Sequence, residues 1–341
     1  MDIGSNGIKL VELKKKGKRS YLYTYGFSDK NLLSEREGGF LEINATAELL
    51  KKICAKAKTV SKMALGSLPS SVVYNALLTI PSLKKEDRDG YIKRQIEKLI
   101  PIPLTDVIID WKPVKKVNSN GKFAIDKFKL PSEEVFFTAA PKKIIASYSE
   151  IFKKAGLILV SLEAESLALI SSLIGKDPSP ILVIDMGANQ TEFMVVENGV
   201  PILFHTLKFG GTSFTNILAK VMGIEREEAE EAKRDLKNEM AFPTIFNEAL
   251  SPIVEGIRYI FELYGKQKNE ISAKPEKIIL AGGSSLLPHL DAKLTEIFDI
   301  KTYLGDPWAR VVYAEDLKPV LDSIGPRFAT SLGLALKKIE V

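Results

Sequence analysis

The chain has 341 residues, of which 45% are hydrophobic and 27% charged, as is typical of a globular protein with room for two ordinary cores. Its 48 basic and 43 acidic residues are interspersed and give a net charge of +5, so we expect a solvated surface and no nucleic-acid partner. One cysteine excludes an internal disulfide, and two histidines without neighbouring ligands argue against a zinc site. We expect neither a signal peptide nor a membrane-spanning helix.

Residues 1–68 are predicted to form three strands and one amphipathic helix. The sequence Asp2-Ile3-Gly4-Ser5-Asn6 places an acid and a small-residue turn before the first strand. Lys9 follows on that strand, where its ammonium either reaches a phosphate or is an exposed lysine on an edge. The predicted elements are the strands Ile8–Leu13, Tyr21–Phe27 and Met63–Leu68 and the helix Ala45–Lys58.

Residues 69–140 differ in character from the flanking sequence and are predicted to form an inserted α+β module. A helix is expected over Leu83–Ile100, with Ile92 and Ile96 on its apolar face, and Pro101 ends it. The module serves either packing or contact with a partner. Its predicted strands are Val72–Ile80, Val107–Val117, Lys122–Leu130 and Glu134–Ala140.

After Pro141 the alternation of helices and strands resumes, and two acids follow the end of a strand. Glu163 and Glu165 lie between the predicted strand Leu157–Leu162 and the helix Ser166–Ile174. A carboxylate at a strand end that faces a nucleotide can orient an attacking water. It can instead favour the N-terminus of the following helix through the helix dipole. Both interpretations stay open for Glu163, and the helix interpretation is preferred for Glu165. A further helix is predicted over Lys142–Ala155.

The stretch Ile181–Thr191, ILVIDMGANQT, predicts a buried strand that ends on Asp185, a tight loop, and a second strand over Phe193–Val196. A loop of this kind can aim backbone N–H groups at a phosphate while the acid holds magnesium through water. On its own the pattern is more typical of a simple hairpin turn. The segment from Asp2 to Asn6 repeats it, and we therefore expect two related halves that face one ligand.

The remaining sequence contains two more glycine-rich turns. Gly210-Gly211-Thr212 opens a helix, so its backbone donors can face anionic oxygens, although such turns are common. Gly282-Gly283-Ser284 ends a strand, where glycine lets a flat ring approach the backbone. Glu230 and Lys233 share a helix face and can meet a ribose or base, and mid-helix Gly333 suggests a close helix contact. The predicted elements are the strands Pro201–Leu207 and Lys277–Ala281 and the helices Ser213–Met222, Glu225–Lys237, Ile253–Tyr264, His289–Phe298 and Arg327–Lys338.

Taken in order, these motifs resemble the two phosphate loops, connecting segments and adenosine loop of the actin–hexokinase–Hsp70 ATPase superfamily. The inserted sequence IPSLKKEDRDGYIKRQIEKLIPIPLTDVIIDW resembles the extra subdomain of the FtsA and PilM branch. The PilM family of type IV pilus assembly is the better match, because FtsA proteins are longer and end in a membrane-targeting helix. One departure is that only Met1 precedes Asp2, where the superfamily has several apolar residues.

The resemblance implies an α/β, actin-like (ribonuclease H-like) two-domain fold with an inserted α+β subdomain. The implied divisions are 1–68 with 141–176 for the first actin-like domain, 69–140 for the inserted subdomain, 177–224 with 273–341 for the second domain, and 225–272 for a helical subdomain.

The resemblance also implies ATP and magnesium as ligands. Asp2 and Asp185 would flank the magnesium ion, and Glu163 would position water for hydrolysis. The residues implied to surround the nucleotide are Asp2, Gly4, Ser5, Asn6, Lys9, Asp185, Gly187, Asn189, Thr191, Gly210, Gly211, Thr212, Glu230, Lys233, Gly282, Gly283 and Ser284.

As for function, the resemblance implies a cytoplasmic scaffold at the inner membrane in type IV pilus, or related type II secretion, assembly. The inserted subdomain would take up the N-terminal tail of a PilN-like membrane protein in a nucleotide-dependent way, with ATP hydrolysed slowly at most. Pilus motor ATPases and self-association are further implied contacts, without direct insertion into the membrane. An FtsA-like cell-division role stays open. A sugar kinase is disfavoured, because no obvious catalytic Asp follows Gly210-Gly211-Thr212 or precedes the second phosphate loop.

Overall fold

The protein is described by a computed structural model that covers residues 1–4, 7–29, 42–114, 132–234 and 243–340, with the side chains of 243–248 and 338–340 left undescribed. Its strands are β1 Asp2–Gly4, β2 Gly7–Lys16, β3 Arg19–Ser28, β4 Met63–Leu68, β5 Tyr74–Pro81, β6 Val107–Val114, β7 Ser132–Pro141, β8 Ile158–Ala164, β9 Ile181–Met186, β10 Thr191–Glu197, β11 Val200–Leu207, β12 Lys277–Ala281 and β13 Thr302–Leu304. Its helices are α1 Ile43–Ala57, α2 Lys85–Glu97, α3 Lys142–Lys154, α4 Glu165–Leu173, α5 Gly211–Met222, α6 Arg226–Arg234, α7 Pro243–Lys268, α8 Leu290–Phe298, α9 Lys318–Ile324 and α10 Ala329–Glu340.

Two sheets repeat one strand arrangement. In the second half the order is β11-β10-β9-β12-β13, with antiparallel pairs from β9 to β11 and parallel pairs from β9 to β13. In the first half, β1, β2 and β3 pair antiparallel and β4 pairs parallel with β8. The backbone of Ser67 donates to the Met1 carbonyl at 3.1 Å and joins the two parts of this sheet. The expectation of two related halves is confirmed by this shared order.

Each half has its own core. In the first half, Leu50, Ile151 and Phe152 are fully buried where α1 and α3 pack on the sheet. In the second half, Phe193 and Ile257 belong to a separate cluster between the five-stranded sheet and α5, α7 and α8. Apolar positions on one helix face therefore direct each helix to its sheet.

A third sheet, of order β5-β7-β6, forms the inserted module together with α2. Ile80, Ile92 and Phe137 are buried in its own apolar cluster. The module also reaches the second half, where the rings of Phe136 and Phe204 lie 6.2 Å apart. The predicted strand Lys122–Leu130 lies outside the described residues.

The two halves meet where α4 and α10 cross. A Cβ atom on Gly333 would lie 1.9 Å from the carbonyl oxygen of Ala168, so only glycine fits at this position. The close contact predicted for Gly333 is therefore present. Next to it, Trp308 and Phe328 pack with Val11 of the β2–β3 hairpin and tie the end of the chain to the first sheet.

Most predicted elements are present, and the main differences have local causes. Helix α7 begins at Pro243, ahead of the predicted Ile253, and contains Pro252 in its interior. Strands β1 and β13, of 3 residues each, and helix α9, of 7 residues, were not predicted, since they are too short to show a period. Within the described ranges, none of the helices combines the length and hydropathy needed to cross a bilayer.

Candidate functional site

A cavity of about 1280 Å³ lies between the two halves, at the ends of the hairpins β1–β2 and β9–β10. Residues from both halves therefore share one space, as the repeated motif predicted. The predicted site residues that line it are Asp2, Gly4, Lys9, Asp185, Gly187, Asn189, Gly211, Thr212, Glu230, Lys233, Gly282, Gly283 and Ser284.

Two of the predicted site residues support neighbouring backbone segments and do not line the cleft. Thr191 is buried and its hydroxyl donates to the Phe209 carbonyl at 2.7 Å, so it fixes the start of β10. Gly210 packs against the loop of the second hairpin, since a Cβ there would lie 2.6 Å from the Ala188 carbonyl oxygen. Neither is among the residues that line the cleft. Ser5 and Asn6 lie outside the described residues.

The two acids at the end of β8 lie in different surroundings, and only one of them lines the cleft. Glu163 lies within β8 and forms an ion pair with Lys337 of α10. It is not among the residues that line the cleft. Glu165, the first residue of α4, does line the cleft, and its carboxylate accepts a hydrogen bond from Thr330 at 3.4 Å. Strand β8 continues two residues beyond its predicted end, so Glu163 belongs to the strand and Glu165 begins the helix.

The first hairpin holds an acid and a lysine side by side. Asp2 and Lys9 are directly paired across β1 and β2, and the Asp2 carboxylate accepts a hydrogen bond from the Ser67 hydroxyl at 2.8 Å. Gly7 has a φ of 125°, and a Cβ there would lie 1.8 Å from the Ser28 carbonyl oxygen. Glycine is therefore required for this hairpin to lie against the end of β3.

The second hairpin is built in the same way and holds two acids. Asp185 and Glu192 are cross-strand partners in β9 and β10, and the loop closes with a 3.0 Å bond from the Gly187 amide to the Gln190 carbonyl. A Cβ on Gly282 would lie 2.4 Å from the Asp185 carboxylate, so glycine allows this loop to approach the acid. The sequence analysis did not single out Glu192. As the cross-strand partner of Asp185, it lies on the same face of the sheet as that acid.

The first two backbone N–H groups of α5 donate to the loop of the second hairpin. The amide of Gly211 donates to the Gly187 carbonyl at 3.0 Å, and the amide of Thr212 donates to the Ala188 carbonyl at 2.8 Å. The prediction that these two N–H groups face anionic oxygens is therefore wrong. The Ser284 hydroxyl donates to the same Gly187 carbonyl at 3.1 Å, so three segments converge on this loop.

Four carboxylates and Lys9 interact electrostatically where the two hairpins meet the cleft. Burial, with the charges of Glu192 and Asp2, raises the pKa of Asp185 to about 7, and Lys9 opposes this only in part. Burial and the three other carboxylates raise the pKa of Glu165 well above its usual value. Burial also raises the pKa of Glu192, against the hydrogen bond from Gln190. The cleft therefore favours the protonated forms of these acids, and a bound cation would favour their ionised forms.

The acids fit a magnesium ion that is held with substrate phosphates and water. Asp2 and Asp185 both line the cleft, one from each hairpin. In the part of the chain that the structure describes, His, Cys, Asp and Glu side chains form no ready-made metal cluster of three or more. Magnesium commonly keeps several waters and binds through one or two carboxylates and phosphate oxygens, which suits this arrangement.

Helix α6 closes the other side of the cleft with a compact polar network. The Lys233 ammonium donates to Glu230 at 2.6 Å, to Thr215 at 2.8 Å and to the Gly211 carbonyl at 3.1 Å. Burial alone would raise the pKa of Glu230, but the hydrogen bonds from Lys233 and Thr215 lower this pKa below its usual value. The ionised carboxylate can thus accept hydrogen bonds from ligand hydroxyl groups.

Comparisons with known proteins agree with this fold and cleft. Residues 1–339 match the sequence profile of a family described as "Type IV pilus assembly protein PilM". A solved structure, the "PilM-PilN type IV pilus biogenesis complex", is similar with a TM-score of 0.81 and 25% identity, over 100% of this chain and 98% of that one. The ethanolamine utilization protein EutJ from Carboxydothermus hydrogenoformans has a TM-score of 0.55 at 16% identity, over 98% of this chain and 87% of that one, and shares the fold alone.

Curated relatives include cell division proteins of the same branch. FtsA from Streptococcus pneumoniae is 22% identical over 353 residues, which covers 90% of this chain and 75% of the relative. FtsA from Bacillus subtilis is 20% identical over 347 residues, which covers 90% of this chain and 78% of the relative.

The paired sheets, the two acid-bearing hairpins and the cleft between them define an actin-like protein of the FtsA and PilM branch. Within that class, the match over residues 1–339 is decisive: the chain belongs to the PilM family of type IV pilus assembly proteins.

Proposed function

We propose that the cleft binds ATP with magnesium and that the protein acts as a nucleotide-dependent scaffold of the type IV pilus assembly platform. The observation that carries this is the convergence of Asp2 and Asp185 on one cavity from equivalent hairpins of the two halves. Lys9 then faces the phosphates, and Glu230 and Lys233 lie where ribose and base would bind. A cavity of about 1280 Å³ has ample room for a nucleotide.

Hydrolysis, if it occurs, is slow in this proposal. Glu165 takes the place of Glu163 as the group that positions water, because it is the acid that lines the cleft. Its raised pKa favours the protonated form, and a protonated carboxyl is a poor general base. A bound magnesium ion would favour its ionised form.

Fluorescence anisotropy with a labelled ATP tests the nucleotide part directly. We expect saturable binding that requires magnesium and that unlabelled ATP displaces. A labelled nucleotide that does not bind, or binds equally well without magnesium, would overturn the proposal.

We further propose that a PilN-like membrane protein binds through its N-terminal tail at the inserted module. A second cavity, of about 350 Å³, lies between the module and the two halves. Its walls are mostly apolar, with Leu99 and Phe137 from the module and Phe204 from β11. Such a cavity suits apolar side chains of a short peptide.

One buried hydroxyl group gives this cavity a capacity for a peptide hydrogen bond. Within the described ranges, the Oγ atom of Ser166 is buried without a hydrogen-bond partner, and Ser166 lines the cavity. An unpaired buried hydroxyl is unfavourable, so a ligand that supplies partners gains affinity. Backbone amides and carbonyls of an extended tail would do so.

Substitution at the mouth of this cavity tests the proposed partner site. Leu99 lines the cavity and is 55% exposed, so Leu99→Glu should fold normally and abolish binding of a synthetic PilN-like tail peptide. Ile108 belongs to the same module, is 50% exposed and is not among the cavity residues, so Ile108→Glu is the matched control and should bind the peptide normally. Isothermal titration with both variants decides the matter, and equal loss in both would contradict the assigned site.

In this account the protein is held at the inner membrane by its partner, as a peripheral cytoplasmic component. Its membership of the PilM family supports this location. The similarity to FtsA proteins, at 20–22% identity, supports the FtsA-like alternative only weakly.

A further inference from the structure

The tip of the β2–β3 hairpin is strongly basic. Five of the six residues from Lys14 to Arg19 are cations, and all six residues are exposed. Lys16 and Arg19 are paired in register at the turn, whereas Ile8 and Ser28 are paired at the opposite end. At about 3.3 Å per residue, the tip lies on the order of 25 Å from the cleft end of the hairpin.

A neighbouring turn extends the same charge. Residues 56–63 contribute Lys56, Lys58 and Lys62, all exposed and with no acid among the eight residues. The Glu12 carboxylate of β2 accepts hydrogen bonds from the amides of residues 60 and 61 at 2.9 and 3.2 Å. The hydroxyl of Thr24 donates to the carbonyl of residue 57 at 2.7 Å. These bonds hold the turn against the hairpin, and residues 14–19 and 56–63 together form what we call the basic surface.

Apolar side chains protrude beside these cations. Val60 is 62% exposed and Met63 is 56% exposed, in the same turn as Lys58 and Lys62. Met63 pairs across β4 and β8 with Ile158, which is 62% exposed. The basic surface thus combines eight cations with a small apolar edge. The nearby acid Glu12 lies outside it and is engaged by backbone amides.

We propose that the basic surface binds the anionic headgroups of a phospholipid membrane. Clusters of four to eight Lys and Arg side chains attract anionic lipid surfaces, and each contributes on the order of 1 kcal/mol, or about fivefold in partition. Exposed Val60, Met63 and Ile158 suit shallow contact with the acyl boundary, since interfacial binding combines basic groups with apolar side chains. The contact is electrostatic and peripheral, and it does not depend on the partner tail.

The position of this surface is compatible with the rest of the molecule. The starts of β4 and β8 lie at the same end of the first sheet as the hairpin tip, because Met63 and Ile158 begin those strands and their ends approach the cleft. A membrane bound at this end leaves the cleft open to nucleotide. Nucleic acid is the competing occupant, but the protruding aliphatic side chains offer no base stacking, and the ring of Tyr23 is covered by the Lys14 ammonium at 3.4 Å.

Vesicle flotation of the full chain tests this proposal. Wild-type protein should float with vesicles of phosphatidylcholine and phosphatidylglycerol, should not float with phosphatidylcholine alone, and should be released by added salt. The triple variant Lys16→Gln, Lys18→Gln, Arg19→Gln should lose about a hundredfold in partition, as three removed charges imply. The double variant Val60→Ser, Met63→Ser should also bind more weakly.

A matched control changes the net charge by the same amount elsewhere. The exposed lysines Lys220, Lys266 and Lys301 lie in the second half, and their triple change to Gln should leave flotation as in wild type. Unchanged thermal melting of all variants confirms that they fold. The proposal is overturned if wild-type protein ignores phosphatidylglycerol, if both triple variants lose binding equally, or if duplex DNA binds the same surface and the Val60 and Met63 changes have no effect. None of these outcomes bears on the nucleotide or tail sites, which do not include the substituted residues.

Discussion

Asp185 is a partly buried acid whose charge costs stability in the free protein. It lies opposite Glu192 and near Asp2, and its pKa is raised to about 7 from 3.8. The folded state therefore binds the proton more tightly than the unfolded state. Stability from this group is fully present below about pH 4 and is lost as the pH rises through about 7.

We predict that Asp185→Asn stabilises the nucleotide-free protein at about pH 8. The expected gain is about 2 kcal/mol, less than the full pKa difference implies, because the carboxylate borders an open cleft. The gain should vanish near pH 4, where both side chains are neutral. Urea unfolding across this pH range measures it, and an Asn variant that is less stable at pH 8 would contradict the electrostatic picture.

Glu165 and Glu163 provide a second test, with one acid as the control for the other. Glu165→Gln should leave ATP affinity within a few-fold and lower any hydrolysis rate by at least about a hundredfold, because the water would lose its orienting carboxylate. Glu163→Gln removes a partly exposed ion pair with Lys337 and should cost about 1 kcal/mol of stability at most, with hydrolysis unchanged. Phosphate release assays compare the two, and the reverse pattern would restore Glu163 to the site.

The sequence named most of the side chains around the cleft but could not orient these two acids. Asp2, Lys9 and Asp185 follow from the repeated hairpin motif, which fixes both type and spacing. Glu163 lies in β8 and Glu165 begins α4, because the strand runs two residues longer than its apolar pattern, and only Glu165 lines the cleft. Pattern alone does not contain that information.

At the scale of elements, the crossing of α4 and α10 joins the two halves. Gly333 permits this contact because a Cβ would lie 1.9 Å from the Ala168 carbonyl oxygen. The sequence indicated a close contact through its mid-helix glycine, but the partner helix is 165 residues away and only the fold identifies it.

Gly333→Ala should destabilise the protein, although alanine is the better helix former. We expect a loss of about 1–3 kcal/mol from overpacking. The matched control is Gly90→Ala in α2, where a Cβ meets nothing within 4 Å and helix propensity should add up to about 1 kcal/mol. Urea unfolding of both variants checks the pair, and a stabilised Gly333→Ala protein would contradict the packing described here.

At the scale of the whole molecule, the inserted module has its own sheet and its own apolar cluster. Its apolar cluster around Ile80, Ile92 and Phe137 is distinct from the cores of both halves. Tyr74 and Ala139 are paired in register, so the points where the module leaves the frame are adjacent. The sequence indicated both the repeat and the insertion, since each is a property of motif order and composition over many residues.

Replacement of residues 75–138 by a short glycine–serine linker should therefore leave the two halves folded. We expect ATP affinity within a few-fold of wild type, because the nucleotide residues lie outside the deleted segment. Binding of the tail peptide should be lost with the module side of the second cavity. A folded deletion variant that still binds the tail would show that the partner site lies elsewhere.

The most direct test of the central claim is isothermal titration of ATP into the full chain, with and without magnesium, for wild type and Asp185→Ala. The account predicts binding by wild type that depends on magnesium, and a loss of at least about a hundredfold in the variant, because the magnesium-facing carboxylate is gone. Circular dichroism verifies that the variant is folded. Equal ATP affinity in the two proteins would contradict the assignment of the cleft between the two hairpins as the nucleotide site.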